Sequence, residues 1–583
     1  AYTNPEERRT HAEKEGGTGS CKSGHRTAET VPQMTLPDPG ATPATAAASG
    51  TNDADSRGHL TRSAAVVSVA TMASRVLGLV RDLTLAYRFG ASNAMDAFYV
   101  AFRIPNLMRD LFAEGVMSAA FVPTFTRRLT TSGRDDAWQL GSQLINALLL
   151  ATGFIVIIGM IFAAPLTGLF AQDFSQVPGK LELTTQLTRV MLPFLTLVAV
   201  AVACMGMLNS IRRFFVPALS PAMYNVSLIL SAVVLVPLMP RAGFEPIMAI
   251  AFGVLVGGLG QITAQYWMLR REGFRYHPTL NPKDRGLREI LGLMGPGTIA
   301  GAAMQLNLLV NTILATSQGS GAVSWLTYAF RVMYLPIGVF GVAIATAALP
   351  VLSQHAATGQ LSEMRKTVSQ ALRLMLMALV PAAVGISVLA EPIIRLIFER
   401  GSFTATDTQA TAIALVCYAP GIVGYSAVRL AVPGFYALGT SLTPAVVSIA
   451  TVGLNIVLNL LLVRAMGYPG LALGTAIAAL TNAAILLVLL GRRLDGLEGS
   501  KTADSFLRIL LAAGVMGVAV RATDRWFATH WPDSGLLVSL LALGAEITLG
   551  VTILATAARL LKITEFNLVK DRLLAALSRI RLR

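Results

Sequence analysis

The sequence is poor in charged residues, and this scarcity excludes a soluble globular protein. Asp, Glu, Lys and Arg make up 14% of the 583 residues, against about 25% in a typical soluble domain. Hydrophobic residues make up 54%, and they stand in long runs separated by short polar stretches. Such runs are typical of membrane-spanning helices. The composition therefore predicts a polytopic membrane protein.

Residues that commonly bind metals or catalyse reactions are also scarce. The three cysteines are far apart, which argues against a disulfide framework or a zinc site. The six histidines show no metal-binding spacing, and no phosphate-binding loop or hydrolase motif is present. The net charge of +15 comes from loops and tails, so it indicates a membrane surface and not a nucleic acid. We therefore expect no enzyme activity, no nucleic-acid partner and no required cofactor.

The apolar runs predict an all-α fold with fourteen transmembrane helices. The predicted spans are 63–88, 95–126, 139–170, 184–210, 217–239, 246–269, 288–317, 322–352, 367–396, 408–437, 441–463, 469–491, 504–524 and 535–558. The predicted organisation is a disordered tail at 1–60, an N-lobe of six helices at 61–275, a C-lobe of six helices at 285–495, two further helices at 503–560 and a basic cytoplasmic tail at 561–583.

An internal repeat supports two pseudo-symmetric lobes. The segment AFRIPNLMRDLF begins at Ala101, and AFRVMYLPIGVF begins 228 residues later at Ala329. A second pair, at Pro217 and Pro444, shares nearly the same offset of 227 residues. An even number of spans in each copy keeps the copies parallel, and transporters of this type bind substrate between their lobes near the membrane midplane. The sequence thus predicts a transporter.

Basic residues concentrate in the loops on one side of the predicted membrane domain. Arg127 and Arg128 follow the second span, and Arg270 and Arg271 follow the sixth. An even number of spans places both chain ends on this same side. Because positively charged loops stay in the cytoplasm, we predict that both termini are cytoplasmic.

The first two spans carry charges that a lipid-facing helix would exclude. They are Arg75, Arg81, Asp82, Asp96, Arg103, Arg109, Asp110 and Glu114. Each charge at the bilayer centre costs about 2.5–3.5 kcal/mol on insertion scales, so these side chains must face protein or water. By the repeat, Arg331 of the second lobe is the counterpart of Arg103. Its own span contains no acid, so Arg331 needs a partner from elsewhere or a ligand.

Two interpretations of these charges remain open. In one, the arginines and carboxylates neutralise each other and have only a structural role. In the other, the arginines bind a phosphorylated substrate, because a guanidinium keeps its charge and binds phosphate through two hydrogen bonds. Pro105 and Pro336 follow Arg103 and Arg331, and they predict a bend or a hinge in each lobe.

A second polar set lies in spans of the predicted C-lobe. It consists of Asn311, Asn455, Asn459 and Thr475. Oxygen atoms on converging helices can hold a cation such as Na⁺. The alternative is that these side chains simply form hydrogen bonds between helices.

Several motifs resemble the MurJ/MviN lipid II flippase family. They are SRVLGLVRD from Ser74, FGAS from Phe89, DAFYVAFRIPNLMRDLFAEG from Asp96, AFVP from Ala120, NSIRRFFVPALSPAMYN at 209–225, YAFRVMYLPIGVFGVAI at 328–344, FERGSFTATD at 398–407 and FYALGTSLTP at 435–444. The resemblance extends from about residue 63 to 562. It implies the fourteen-helix fold of the multidrug/oligosaccharidyl-lipid/polysaccharide exporter superfamily. Helices 13 and 14 would then form a groove for the lipid tail.

The resemblance also implies a function. Such a protein would move lipid II, the undecaprenyl-diphosphate-linked peptidoglycan precursor, from the inner to the outer leaflet of the bacterial cytoplasmic membrane by alternating access. Lipid II, membrane lipids and cell-wall synthesis proteins would be its partners. The implied substrate-binding residues are Arg75, Arg81, Asp82, Arg103, Arg109 and Arg331, with Asp96 and Glu114 as structural or gating charges.

Other functions are compatible with the same sequence features. An exporter of this fold could instead move O-antigen or polysaccharide lipids, or cationic drugs. A drug exporter would be expected to carry an acidic cavity. A membrane scaffold without transport activity would not need charges at the membrane midplane.

Overall fold

The computed structural model describes residues 69–112, 116–531 and 535–566, without the side chains at 108–112, 116–119 and 294–304. The predicted tail at 1–60 and most of that at 561–583 lie outside these residues. Every regular element described is a helix. The helices are α1 (69–89), α2 (Asn93–Phe112), α3 (Val116–Thr131), α4 (Arg134–Ile161), α5 (Ala163–Phe170), α6 (Lys180–Met191), α7 (Phe194–Ser210), α8 (Phe215–Leu230), α9 (Met248–Arg271), α10 (Arg285–Thr316), α11 (Ala322–Pro336), α12 (Val342–Ala357), α13 (Leu361–Val388), α14 (Ala390–Phe398), α15 (Ala405–Tyr418), α16 (Gly421–Ala437), α17 (Leu442–Met466), α18 (Tyr468–Arg493), α19 (Gly499–His530) and α20 (Leu536–Leu560).

The long apolar helices confirm an all-α membrane protein. Within the described ranges, ten helices are long and apolar enough to cross a membrane, or eleven if the pair α15 and α16, bent by 44°, is one span. Helices α1 and α2 fall outside this count because of their charged side chains. Each predicted span nevertheless overlaps one helix or a consecutive pair. The finer count of fourteen spans and the division into two lobes stay predictions.

Two groups of helices supply most of the buried core. We call α1–α9 the N-terminal half and α10–α18 the C-terminal half. In the N-terminal half, aromatic rings such as Phe125 and Trp138, 5.7 Å apart, fill the space between α3 and α4. In the C-terminal half, Tyr328 and Phe398 pack at 5.0 Å in a larger cluster that reaches Val100 on α2. The two halves therefore share apolar contacts near the beginning of α2.

The two prolines predicted to bend the helices behave differently. Helix α2 continues through Pro105 to its end at Phe112. Helix α11 ends at Pro336, and one turn of π-helix at Ile337–Gly341 connects it to α12. Because proline lacks an amide hydrogen, it removes one helical hydrogen bond and permits this wider turn. The irregularity lies one and a half turns beyond Arg331.

The linker between the halves, residues 272–284, is hydrogen-bonded to and packed against the N-terminal half. Asn146 of α4 donates hydrogen bonds to the carbonyl oxygens of His277 and Thr279, at 3.1 and 2.7 Å. Phe274 is buried against Trp138, with ring centroids 5.4 Å apart. The linker thus runs along α4 before α10 begins, and these contacts fix where α10 starts relative to α4.

Asp284 begins α10 and joins it to α3. Its carboxylate caps the helix by accepting from the backbone N–H of Leu287 at 3.0 Å. It also accepts from Nη1 of Arg128 at 2.8 Å, and Arg128 in addition contacts Asp136. The hydrogen bond from Arg128 holds the pKa of Asp284 below its usual value. This depressed pKa means that the ionised carboxylate stabilises the folded state.

We expect Asp284→Asn to lower stability by about 1 kcal/mol at neutral pH. Asparagine caps a helix as well as aspartate does, so the change removes only the charge. A carboxyl group with a lowered pKa stabilises the fold above its usual pKa, and this contribution is lost as the pH falls through the lowered value. Thermal unfolding in detergent should therefore show a stability deficit of the variant at pH 7, measured as a lower melting temperature than that of the parent. This deficit should disappear below about pH 4. The exposed Asp135→Asn is the control, and an equal deficit there would contradict the assignment.

Candidate functional site

Asp82 joins arginines from the two halves of the molecule. Its Oδ1 accepts from Nη2 of Arg81 at 2.7 Å, and its Oδ2 pairs with Nε of Arg331 at 2.8 Å. The carboxylate side chain is only 4% exposed, whereas the side chain of Arg331 is 45% exposed. The partner that Arg331 lacked in its own span therefore comes from α1. Much of the Arg331 side chain remains accessible for a further contact.

A polar scaffold on α8 holds Arg81 in place. Nη1 of Arg81 donates to Oδ1 of Asn225 at 2.9 Å, and the Asn225 amide donates to the carbonyl of Ser74 at 3.0 Å. The guanidinium lies over the ring of Tyr224, 5.8 Å from its centroid. Our sequence interpretation missed both α8 residues, although the motif ending SPAMYN contains them. The scaffold fixes one side of Asp82 and leaves the Arg331 side more open.

The remaining predicted arginines either contact the C-terminal half or have side chains outside those described. Nε of Arg103 donates to Oγ1 of Thr312 on α10, at 3.4 Å. Arg75 is exposed on α1, and its Nη1 lies near Gly338 in the π-helical turn. Both therefore reach from the N-terminal half toward the C-terminal half. The side chains of Arg109, Asp110 and Glu114 are outside the part of the chain that the structure describes.

Asp96 ties the beginning of α2 to the beginning of α11. Its Oδ2 accepts from the backbone N–H of Gly321 at 2.7 Å. Its Oδ1 accepts from the backbone N–H and the hydroxyl of Ser324, at 3.0 and 2.7 Å. The first N–H groups of a helix have no partner within the helix and carry partial positive charge, so they suit a carboxylate. Asp96 is fully buried, and it fastens the two halves at this end.

Three hydrogen bonds to backbone carbonyls at the end of α1 complete the same fastening. The N–H of Ser402 donates to the carbonyl of Tyr87 at 2.9 Å, and the Ser402 hydroxyl donates to the carbonyl of Arg88 at 3.1 Å. The hydroxyl of Tyr328 donates to the carbonyl of Gly90 at 3.2 Å. The structure thus brings the end of α1 and the FGAS motif together with Ser402 of FERGSFTATD and with Tyr328. We call these contacts, together with those of Asp96 to Gly321 and Ser324, the interlock.

Two further basic residues near these groups were missed from the sequence. Lys180 of α6 donates to Asp96 at 3.0 Å and is 2% exposed. It lies four residues before the predicted fourth span, so its position suggested only a loop. Arg429 of α16 contacts the hydroxyl of Tyr334, one turn beyond Arg331 on α11. An arginine inside an otherwise apolar predicted span was the available signal for Arg429.

Three of the four predicted polar side chains, Asn311, Asn455 and Asn459, form a hydrogen-bonded cluster. The amide of Asn459 donates to Oδ1 of Asn311 at 2.5 Å and to Oδ1 of Asn455 at 3.3 Å. Oδ1 of Asn459 is buried, and no hydrogen-bond partner is present for it among the described residues. The Thr475 hydroxyl donates to the carbonyl of Leu471 in its own helix. Three amides therefore meet between α10 and α17, with Thr475 on the neighbouring α18.

Comparison with known sequences shows extensive similarity to one group of proteins. A family profile described as "Lipid II flippase MurJ" matches residues 85–542. A "Probable lipid II flippase MurJ" of Vibrio cholerae is 32% identical over 502 residues, covering 85% of this chain and 94% of that protein. A "Lipid II flippase MurJ" of Burkholderia cenocepacia is 32% identical over 482 residues, covering 82% of this chain and 92% of that protein.

Solved structures show the same relationship at the level of the fold. A structure titled "Lipid II flippase MurJ, inward closed conformation" superposes with a TM-score of 0.69 at 25% identity, covering 85% of this chain and 98% of that one. An inward-facing multidrug transporter of the MATE family superposes with a TM-score of 0.61 at 16% identity, covering 75% of this chain and 99% of that one. The second likeness shows the fold alone. From the extent of the sequence matches, we conclude that the chain belongs to the MurJ family of lipid II flippases.

Proposed function

We propose that this protein is a lipid II flippase of the bacterial inner membrane, working by alternating access between its two halves. The observation that carries the proposal is the buried Asp82 carboxylate between Arg81 and Arg331. It brings cationic groups of both halves to one place. The sequence matches extend over most of the length of proteins that are named as lipid II flippases. A transported lipid with an anionic headgroup accounts for both facts.

The arginines are proposed to bind the diphosphate of the substrate. Arg331 contacts Asp82 through Nε and stays 45% exposed, and a guanidinium carries five donors arranged to suit phosphate oxygens. Arg75 and Arg103 reach from α1 and α2 toward the C-terminal half, and we include them in the proposed site, together with Arg109 from its sequence position. Asp82 then offsets the repulsion between Arg81 and Arg331 before substrate binds. Because Arg331 belongs to the other half, diphosphate binding would draw the halves together.

The interlock is proposed to be the closed outer gate. Its described contacts are hydrogen bonds to one carboxylate and three backbone carbonyls, so they can separate as a unit when the halves rock. The basic loops predict that the chain ends are cytoplasmic, and with that topology the beginnings of α2 and α11 lie at the periplasmic end. This topology requires all fourteen predicted spans, arranged as two lobes with α19 and α20 beside them. Glu114 is proposed as a gating charge.

The amide cluster is proposed as the binding point for a coupling Na⁺ ion. Oδ1 of Asn459 is a buried acceptor without a described donor, and it points at Gly474 beside Thr475. The amide oxygens of Asn311 and Asn455 and the Thr475 hydroxyl would complete a set of neutral oxygens. Binding would break the present hydrogen bonds among the amides. It would therefore change how α10 and α17 pack.

Reconstitution into lipid vesicles tests the proposed function. Vesicles containing the purified protein and fluorescent lipid II are treated with a membrane-impermeant reducing agent, which bleaches only the outer leaflet. We expect bleaching beyond the outer-leaflet fraction, at a rate at least about tenfold above that of protein-free vesicles. Fluorescent phosphatidylethanolamine in matched vesicles controls for leakage and for unselective scrambling.

The same assay separates the alternatives. Equal rates for lipid II and phosphatidylethanolamine would mean a scramblase, and no acceleration for lipid II would overturn the proposal. Movement of an O-antigen lipid but not of lipid II would reassign the substrate within the same fold. Cell-wall synthesis proteins remain proposed partners, to which this assay with purified protein is insensitive.

A further inference from the structure

The buried carboxylate of Asp96 has partners from both halves of the molecule. Gly321 and Ser324 of α11 donate three hydrogen bonds to it from the C-terminal half. Lys180 of α6 donates a fourth from the N-terminal half, with Nζ 3.0 Å from Oδ2. Only the first three bonds cross between the halves. An opening of the interlock would therefore break three of the four hydrogen bonds to Asp96 and leave the one from Lys180.

Lys180 is built into the same half as Asp96. Helix α6, which begins at Lys180, packs along α2. The Lys180 side chain is 2% exposed, and its ammonium lies 3.9 Å from the centroid of the Phe174 ring. An ammonium over an aromatic face is held by the ring's electrostatic field. Lys180 would therefore move together with Asp96.

We infer that Lys180 is a positioning residue for the transport cycle, which keeps the Asp96 carboxylate paired when α11 moves away. This inference rests on the proposed alternating access. A buried charge that loses its partners is strongly unfavourable, and the group would take up a proton or resist the change. With Lys180 present, Asp96 stays charged and paired in the open state. The interlock can then open and re-form repeatedly.

Removal of Lys180 is expected to favour the closed interlock. In the closed state, Asp96 would still accept three hydrogen bonds at the positive end of α11. In the open state, it would have lost those three hydrogen bonds and would have no cation beside it. The substitution therefore penalises the open state more than the closed one. An ordinary structural role for Lys180 would instead penalise both states.

Nitroxide labels beside the interlock measure this balance directly. Ser92 and Ser320 are exposed on opposite sides of it, and each is replaced by cysteine after Cys21, Cys204 and Cys417 have been replaced by serine. Electron paramagnetic resonance in nanodiscs then gives the populations of short and long separations. The flipping assay is run on the same variants. The set comprises Lys180→Met, Lys180→Arg, Asp96→Asn and the double variant Lys180→Met/Asp96→Asn.

We expect Lys180→Met to lower both the ratio of open to closed molecules and the flipping rate by about tenfold or more. Lys180→Arg keeps the positive charge and should stay within about threefold of the parent. The double variant removes both charges, so it should exceed Lys180→Met in open population and in rate. This rescue is the signature of coupling between the two residues. If Lys180→Met is lost from the membrane, Lys180→Gln takes its place with the same expectation.

Two results would overturn the inference. One is an unchanged open population and rate in Lys180→Met, and the other is a double variant that performs no better than Lys180→Met. The proposed function fails separately, because it fails only if the unsubstituted protein does not flip lipid II. A protein that flips lipid II at an equal rate with and without Lys180 would refute the role of Lys180 and leave the proposed function standing.

Discussion

Arg331→Ala is expected to abolish transport. The substitution removes the more accessible of the two arginines that flank Asp82, and with it the guanidinium that the C-terminal half contributes to the proposed diphosphate site. Loss of a charge-assisted bidentate contact costs about 1.5–3 kcal/mol for each hydrogen bond, so flipping should fall by at least about a hundredfold. A strain depleted of its own lipid II flippase should not grow on this variant.

Arg395→Ala is the matched control for this experiment. Its side chain is 52% exposed and pairs with Glu391, so it resembles Arg331 in exposure and in having a carboxylate partner. It lies on α14, where its ion-pair partners are Glu391 and Glu399 and not Asp82, so Arg395→Ala should support growth. Arg331→Lys keeps the charge without the planar fork, and an intermediate rate is expected. Normal flipping by a well-expressed Arg331→Ala protein would refute the diphosphate site.

The pairing at Asp82 shows which part of the site could be predicted from the charge pattern of the sequence. Charges in apolar spans required partners or water, and Arg331 lacked an acid in its own span. The sequence therefore predicted that Arg331 has either a partner from elsewhere in the chain or a ligand. It did not indicate which acid, because the packing of α1 against α11 depends on contacts between residues about 250 positions apart. Asn225 was missed because an asparagine in a span usually indicates only a hydrogen bond between helices, and the sequence does not show which helix it contacts.

The interlock was less accessible to prediction from the sequence. Asp96 was predicted to be a structural or gating charge, but its partners at Gly321 and Ser324 are largely backbone N–H groups. Backbone donors leave no mark on residue identity, so only the folded chain reveals them. The fold itself was easier, because apolar runs directly define helices that cross a membrane. Lys180 was overlooked because it stands just before an apolar run, where charges ordinarily meet water.

Gly401→Ala is expected to prevent the interlock from closing. Gly401 has a φ of +63°, and a Cβ atom there would lie 2.3 Å from the carbonyl oxygen of Tyr87 in the other half. Real Cβ atoms essentially never come within 3.0 Å of such an atom, so the loop and the end of α1 must separate. That separation would break the hydrogen bond from Ser402 to Tyr87. The label pair described above should then report mostly open molecules, with flipping reduced at least about tenfold.

Gly439→Ala separates the steric clash from simple backbone strain. Gly439 has a nearly identical φ of +68°, but a Cβ atom there would meet nothing within 4 Å. Both substitutions carry the same left-handed penalty of about 1–2 kcal/mol, whereas only Gly401→Ala pushes the halves apart. Gly439→Ala should therefore keep the closed population and most of the flipping rate. If both variants open to the same extent, strain in the loop is the cause, and the contact between Gly401 and Tyr87 is no part of a gate.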